Sequence, residues 1–245
     1  MKSVLFLCLF VFLVSCKPGF HKFSIEDEVG KFADLQEDYD LITVSYFDGR
    51  GRGEAIRLLL HHAKVPFIDH RFDGAAWRDI KYNYEFLQVP ALKIGKQTFV
   101  QTNSILRLLG RKFNYYPEAY AYEIDSLLDA ISDFVDVFGK YYYYGKEEEK
   151  QDNIARMNNY LSLLLQVMEN RMKDSFSSAK YLVGETMTIA DFSLMGNFRG
   201  SFLAERHQEV YSEIDLNQYP LVKQYLEYQL NYELKDSIQL INQIE

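Results

Sequence analysis

Between Phe86 and Gly110 the residue types suit the capture of an extended, anionic, peptide-like ligand. Ala91 to Ile94 and Thr98 to Gln101 are short apolar runs parted by a Gly-Lys-Gln turn, a hairpin pattern. Thr102 then opens a segment whose apolar residues recur at helical spacing. Pro90 cannot donate a backbone hydrogen bond, and a cis bond between Val89 and Pro90 would turn the amide and carbonyl of Val89 outward. Val89 could then pair with a ligand backbone as a missing strand would. Thr102 is expected at an N-cap, where a hydroxyl and the free amides of the first helical turn favour a carboxylate. A proline-stiffened hairpin followed by an ordinary helix cap is the alternative reading of these residues.

The elements that must position this stretch come before it. Leu41 to Phe47 reads as a strand, Asp48 to Gly53 as a glycine-loosened loop, and Glu54 to Ala63 as a helix with Ile56, Leu59 and Leu60 on one face. Tyr46 stands at the turn and Arg52 follows six residues later. The spacing Gly49-x-Gly51-x-Gly53 is wrong for a dinucleotide fingerprint, and no Lys-Ser/Thr follows to make a phosphate loop. By itself Tyr46 is an aromatic residue that ends a strand. Pro66 to Phe72 reads as a second strand and Ala75 to Tyr82 as a short irregular helix. Trp77 and Lys81, four residues apart, share a face there; a core tryptophan and a solvated lysine would look the same. The order strand, helix, strand, helix, strand, strand, helix fits a thioredoxin-like α/β layer.

Gln88-Val89-Pro90, followed eleven residues after the proline by Gln101-Thr102-Asn103-Ser104-Ile105, resembles the Gln-x-Pro and Gln-Ser-x-Ala-Ile pattern of the glutathione transferases. The run from Tyr46-Phe47 through Arg52 to Arg57 resembles the start of the tyrosine-type members (sigma, mu, pi and alpha-like), and the spacing from Trp77 to Pro90 is similar to that of the sigma-type branch. The resemblance extends from about Leu41 to the C-terminus. It implies that Tyr46 is the catalytic tyrosine, donating its hydroxyl to the glutathione sulfur with Arg52 nearby. It implies glutathione contacts from Trp77 and Lys81 at the glycine end, from Val89 to the cysteinyl backbone with Gln88 alongside, from Leu87 and Pro90, and from Gln101 and Thr102 at the γ-glutamyl carboxylate. Asp133 matches the aspartate that reaches the glutathione amino group of a neighbouring subunit, so a homodimer is implied. Two positions depart from the pattern: Leu87 stands where a glycine is common, and Thr102 replaces the usual serine while keeping its hydroxyl.

The thiol chemistry can be checked for size. A free thiol has a pKa near 8.5, and lowering it by about 1.5 to 2 units requires roughly 2 to 2.7 kcal/mol, the range of one hydrogen bond to a charged group. Both cysteines, Cys8 and Cys16, lie at the N-terminus, so any thiol chemistry in the body of the chain must use a thiol brought by a ligand, and no disulfide framework or thiolate metal site can be drawn there.

Beyond residues 113–118, the expected linker, the pattern is helical. Ile124, Leu127, Leu128, Ile131, Phe134, Val135 and Phe138 form one apolar face, with Asp125, Asp129, Asp133 and Asp136 along the other side. Like charges at this spacing are mildly unfavourable, so the acidic stripe asks for partners or a solvated face. Ile154, Met157, Leu161, Leu164, Leu165, Met168 and Met172 mark a second core face, and Thr188 and Asp191 have capping-box spacing. The fold class expected is an α/β thioredoxin-like domain over 41–112 followed by an all-α domain over 119–245.

A net charge of -8 argues against nucleic acid and anionic membranes as partners. Residues 1–16 carry an apolar run from Val4 to Val14, too short for the roughly 20 residues that span a bilayer but suited to a signal-peptide core. A secretory signal is expected, placing the protein outside the cell or in an endomembrane lumen. A retained anchor and a lipobox at Cys16 are alternatives. Residues 17–40 read as a polar, acidic spacer. The function expected is conjugation of glutathione, as co-substrate and without a metal, to a small hydrophobic electrophile. A glutathione-dependent isomerase or peroxidase acting on a lipid, or a non-catalytic binding module, are the other readings.

Overall fold

The computed structural model describes residues 42–174 and 179–243. The expected signal segment at 1–16 and spacer at 17–40 lie outside the described residues.

Four short strands make one mixed sheet. β1 (Thr43–Phe47) lies at its centre, pairing in parallel with β2 (Ile68–Phe72) and antiparallel with β3 (Ala91–Ile94), while β4 (Gln97–Val100) closes the other edge, in the order β2-β1-β3-β4. β2 begins two residues later than the apolar run suggests. Pro66 has no amide to give the ladder, and pairing starts only where the Ile68 amide reaches the Ile42 carbonyl at 2.8 Å. β4 is displaced by one residue, because Gln97 already pairs with Ile94 and Gln101 leaves the strand at φ 71°.

α1 (Glu54–His62) follows β1, α2 (Gly74–Ile80) follows β2 and α3 (Thr102–Lys112) follows β4. The expected face of α1 was one stripe, yet residues Glu54 to Leu60 are all buried. The reason is that α1 packs among other helices, above all α6 (Ile189–Gly200), whose residues are all buried. A Cβ on Gly196 would stand 2.5 Å from the Ala55 nitrogen, so the two helices meet backbone to backbone there. Burying a side chain such as Leu59, Phe192 or Phe198 contributes roughly 1.5 to 3 kcal/mol, and this contact holds the helical half to the sheet.

Phe113 to Pro117 is irregular chain, followed by a single tight turn at Glu118–Tyr120. α4 (Ala121–Tyr144) and α5 (Lys150–Asp174) are the long helices. On α4 the expected apolar face is buried except for half-exposed Val135, and on α5 Met157 through Met172 form the inner stripe while Ile154 is half exposed. α7 (Pro220–Tyr228), which starts with a proline in its first turn, and α8 (Lys235–Asn242) complete the layer. The start of α6 carries the capping box: the Asp191 carboxylate accepts the Thr188 amide at 2.8 Å and the Thr188 hydroxyl at 2.9 Å. Its other oxygen accepts the Leu182 amide at 2.8 Å, which ties the preceding loop to the helix.

Candidate functional site

β1 ends with Tyr46 and Phe47, and the chain must then reverse within a few residues to start α1. The Asp48 to Gly53 loop does this with a tight turn at Gly51–Gly53 that lies against the Tyr46 ring. A Cβ on Gly51 would be 2.6 Å from the Tyr46 hydroxyl, and one on Gly53 would be 2.7 Å from Cγ of the same ring. Gly51 also has φ +40°, a region that favours glycine. The loop's glycines are therefore bare because an aromatic ring occupies the space that side chains would need.

The Arg52 backbone amide donates to the Tyr46 oxygen at 3.1 Å. A phenol that accepts one N–H keeps its own proton to give to a third group. Burial pushes the Tyr46 phenol above its ordinary value; the Arg52 amide pulls it down and the nearby Tyr143 adds to the rise. Tyr46 is thus neutral and a hydrogen-bond donor throughout the physiological range. The Arg52 side chain turns instead to Asp136 on α4, forming a half-exposed ion pair.

Arg57 fixes this turn from below. It is fully buried, donates to the Gly49 carbonyl at 2.7 Å and to the Asp69 carboxylate at 2.9 Å, and its guanidinium lies 5.9 Å from the centre of the Tyr46 ring. Asp69 also accepts from Arg71 of the same strand at 2.8 Å, so the charge is shared between β2 and α1. Buried charge is tolerable only when paired in this way.

The hairpin side is assembled mainly from backbone. The Val89–Pro90 peptide is cis, and the ladder between β1 and β3 begins at Ala91, so Val89 lies outside it. Gln88 and Gln101, separated by thirteen residues, meet through a 3.2 Å hydrogen bond between their side-chain amides. Thr102 is the first helical residue of α3 and not its N-cap. That position belongs to Gln101, whose positive φ breaks the strand direction and whose carbonyl accepts the Ile105 amide at 2.9 Å. No side chain caps this end, so the first-turn amides of α3 keep their capacity for an anion. Phe86 and Leu87 both adopt left-handed backbone, with φ 57° and 51°, and both are exposed. The left-handed backbone at Leu87 explains why a glycine would fit there without strain.

Trp77 is half-buried, stacked on Phe72 at 5.6 Å and edge-on to Phe47. Lys81 is not in the expected helix, which ends at Ile80; it opens a separate tight turn at Lys81–Asn83 and holds its ammonium 5.0 Å from the Tyr82 ring. It makes no ion pair among the described residues. Asp133 makes no hydrogen bond to Tyr46 or Arg52 among the described residues and lies three residues before Asp136, the partner of Arg52. It is exposed on α4 and accepts the Tyr160 hydroxyl of α5 at 3.2 Å. The acidic stripe of α4 is thus divided among partners: Asp125 takes Arg107 and Tyr116, Asp133 takes Tyr160, Asp136 takes Arg52, and Asp129 is exposed.

Sequence reasoning singled out Tyr46 and Arg52 but not Asp136, Arg57 or Tyr143 as their neighbours. Asp136 belonged to a stripe of four equivalent acids. The one signal for Arg57 was its place in the motif that begins at Tyr46, since its position beside Ile56 reads as ordinary helix surface.

Residues 132–231 match the family described as "Glutathione S-transferase, C-terminal domain". Glutathione S-transferase 3 of Caenorhabditis elegans is 31% identical over 173 residues, spanning 66% of this chain and 81% of the relative. Hematopoietic prostaglandin D synthase of Homo sapiens is 29% identical over 154 residues, spanning 61% of this chain and 73% of that protein. The structure of the pi-class glutathione S-transferase of Onchocerca volvulus superposes with a TM-score of 0.68 at 25% identity, over 83% of this chain and 94% of its own. A four-stranded mixed sheet with Tyr46 at its first turn, joined to a helical half through α1 and α6, agrees with these likenesses, and the chain belongs to the glutathione S-transferase family.

Proposed function

We propose that this chain binds glutathione, lowers the pKa of its thiol through the Tyr46 hydroxyl, and transfers the thiolate to a small hydrophobic electrophile. The observation that carries this reading is the Tyr46 oxygen, which accepts the Arg52 amide at 3.1 Å while its own proton is left to donate. In the proposal Val89 pairs with the cysteinyl backbone, the uncapped start of α3 with Gln101 and Thr102 receives the γ-glutamyl carboxylate, Gln88 braces Gln101, and Trp77 and Lys81 receive the glycine end. Leu87 and Pro90 shape the entrance. Developing thiolate charge is then met by a donor already in place, which costs no reorganisation at the moment of reaction.

The finer parts of the proposal are a homodimer in which Asp133 enters the partner's site, secretion directed by residues 1–16, and a role in detoxification. An apolar groove between α4 and α5, lined by Leu127, Ala130, Leu163, Leu164 and Val167, supports association of two copies, since Leu163 is 61% exposed. A second reading, glutathione-dependent isomerisation of a lipid, is favoured by the likeness to a protein named prostaglandin D synthase and uses the same thiolate.

The test is direct. The chain without residues 1–16 is expected to bind immobilised glutathione and to conjugate it to a general aromatic electrophile. Retention on the matrix without conjugation favours the isomerase reading, to be checked with a lipid endoperoxide; neither retention nor conjugation ends the proposal.

A further inference from the structure

The end of α4 and the chain that follows α6 carry an exposed aromatic patch with a positive charge at its edge. α6 ends at Gly200, where a Cβ would lie 3.2 Å from the Gly51 amide nitrogen, so the chain leaving α6 starts out beside the Tyr46 turn. It runs through Ser201 to a tight turn at Glu205–His207 and returns to the end of α4. There the His207 ring is held edge-on to Phe138 at 5.3 Å and to Tyr142 at 4.7 Å, and Phe138 stacks on Tyr142 at 5.5 Å. Tyr142 and Tyr143 stay 42% and 64% exposed, so one face of this patch is open.

Arg206 is held at the rim. Its Nε donates to Nε2 of His207 at 3.1 Å, and its guanidinium lies 5.8 Å from the centre of the Tyr142 ring. A histidine that accepts at Nε2 carries its proton on Nδ1 and is neutral. Burial and the adjacent Arg206 charge both lower the His207 value, in agreement with that tautomer. Arg206 makes no ion pair among the described residues, in contrast to Arg52, which is compensated by Asp136. Tyr143 links the two regions: it adds to the rise of the Tyr46 phenol and itself feels Arg206.

A guanidinium with one edge fixed by a neutral histidine presents its remaining N–H groups as a fork, the geometry that binds a carboxylate by two parallel hydrogen bonds. An aromatic floor beside it suits a flat or extended apolar body. We propose that Arg206 anchors an anionic group on the acceptor, so that the electrophiles this site favours are aromatic or extended apolar molecules bearing a carboxylate. The inference rests on the assignment of Tyr46 as the thiol donor, because that places the acceptor on this side of the sulfur.

The probes are 4-chloro-3,5-dinitrobenzoate and its neutral amide, which react by the same step. The glutathione sulfur forms a bond to the ring carbon that bears chlorine, chloride leaves with the bonding electron pair, and the thiol proton passes to solvent. In the parent the ratio of kcat/KM for the carboxylate over the amide is expected to fall about tenfold on Arg206→Gln, mostly through KM, and to fall less in Arg206→Lys. High salt should reduce the parent's ratio as well. A ratio that stays the same in Arg206→Gln overturns the proposal. A reading independent of turnover is the affinity for unreactive 3,5-dinitrobenzoate, followed by tyrosine and tryptophan fluorescence. Weakening in Arg206→Gln by about the same factor supports the anchor, whereas equal binding by parent and variant sinks it. If the anion binds through Arg206 but neither chloro probe reacts with glutathione in the parent, the transferase reading fails while the anion site stands.

Discussion

Tyr46→Phe removes one oxygen and keeps the ring that packs on Gly51 and Gly53, so it isolates the hydroxyl. In the folded chain that oxygen takes the Arg52 amide at 3.1 Å and has a proton to give. If this proton goes to the glutathione sulfur, the charge-assisted bond is worth about 1.5 to 3 kcal/mol, or 1 to 2 units of thiol pKa at 1.36 kcal/mol per unit. With glutathione bound, the parent is expected to show an ascending limb of kcat/KM with a midpoint near pH 6.5 to 7.5, moving to about 8.5 in Tyr46→Phe. The thiolate population at pH 6.5 would then drop roughly 10- to 50-fold. A more basic thiolate is intrinsically a better nucleophile, with a Brønsted slope of about 0.4 to 0.5, so the rate itself should fall only roughly 3- to 8-fold. The shift of the midpoint is therefore the sharper measure, read both from the pH–rate profile and from the ultraviolet absorbance of bound thiolate. Because burial raises the Tyr46 phenol, the donor stays protonated as pH rises, and the parent should show no descending limb from this group below about pH 10. A variant midpoint within about half a unit of the parent, at unchanged melting temperature, would refute the assignment.

Further outcomes follow at the start of α6 and at the Tyr46 turn. Asp191→Ala strips the acceptor from two backbone amides and the Thr188 hydroxyl in a fully buried site, and should cost about 3 to 5 kcal/mol in urea denaturation, with Asp191→Asn retaining part of that. Burial raises the Asp191 carboxyl to about 6 from an unfolded value of 3.8, so its contribution is full below that unfolded value and is lost as pH rises through about 6. The corresponding decline of about 3 kcal/mol in the parent should flatten in Asp191→Ala. Gly53→Ala drives a methyl to within 2.7 Å of the near end of the Tyr46 ring, where the side chain cannot simply rotate away. It should lower stability by about 1 to 3 kcal/mol and reduce conjugation at temperatures where the variant is still fully folded; equal activity would mean that the ring is not held by this turn.

The helices of this chain were legible from apolar spacing because each long one has one buried face: Ile124 to Phe138 on α4 and Met157 to Met172 on α5 both point inward. α1 was half legible. Its apolar residues marked a helix, but nothing in the spacing said that Glu54 and Arg57 would also be buried, because that depends on α6 arriving from far along the chain. Element ends were missed where backbone chemistry decided them, as at Pro66, where no amide exists, and at Gln101, where a left-handed residue moves the helix start by one position. The candidate site divides the same way. Gln88, Val89, Pro90, Gln101 and Thr102 could be named because they are close in sequence. Asp136, Tyr143 and Arg206 could not, because each comes to the site through packing of the helical half, and each had equivalent neighbours: four aspartates, four consecutive tyrosines and a charged loop.

That division has a chemical consequence. The half that the hairpin supplies is mostly backbone: an outward strand residue, an uncapped helix start and a pair of glutamines bonded to one another. Backbone donors recognise a peptide, and they tolerate side-chain change. The half supplied by α4 and by the chain after α6 is made of side chains, Tyr142, Tyr143, Arg206 and His207, whose identities set shape and charge. The Tyr46 turn stands between them, with Arg57 beneath it and Gly200 beside it, and Asn103 at the start of α3 also reaches α4 through the Leu128 carbonyl and the Ser132 hydroxyl. On the proposed function, a substitution in the helical half is expected to change what is conjugated without changing what is activated. On the proposed assignment of Tyr46, substitutions at Gly51, Gly53 or Arg57 are expected to act on the thiolate, because these residues pack against the turn and ring that hold the donor oxygen.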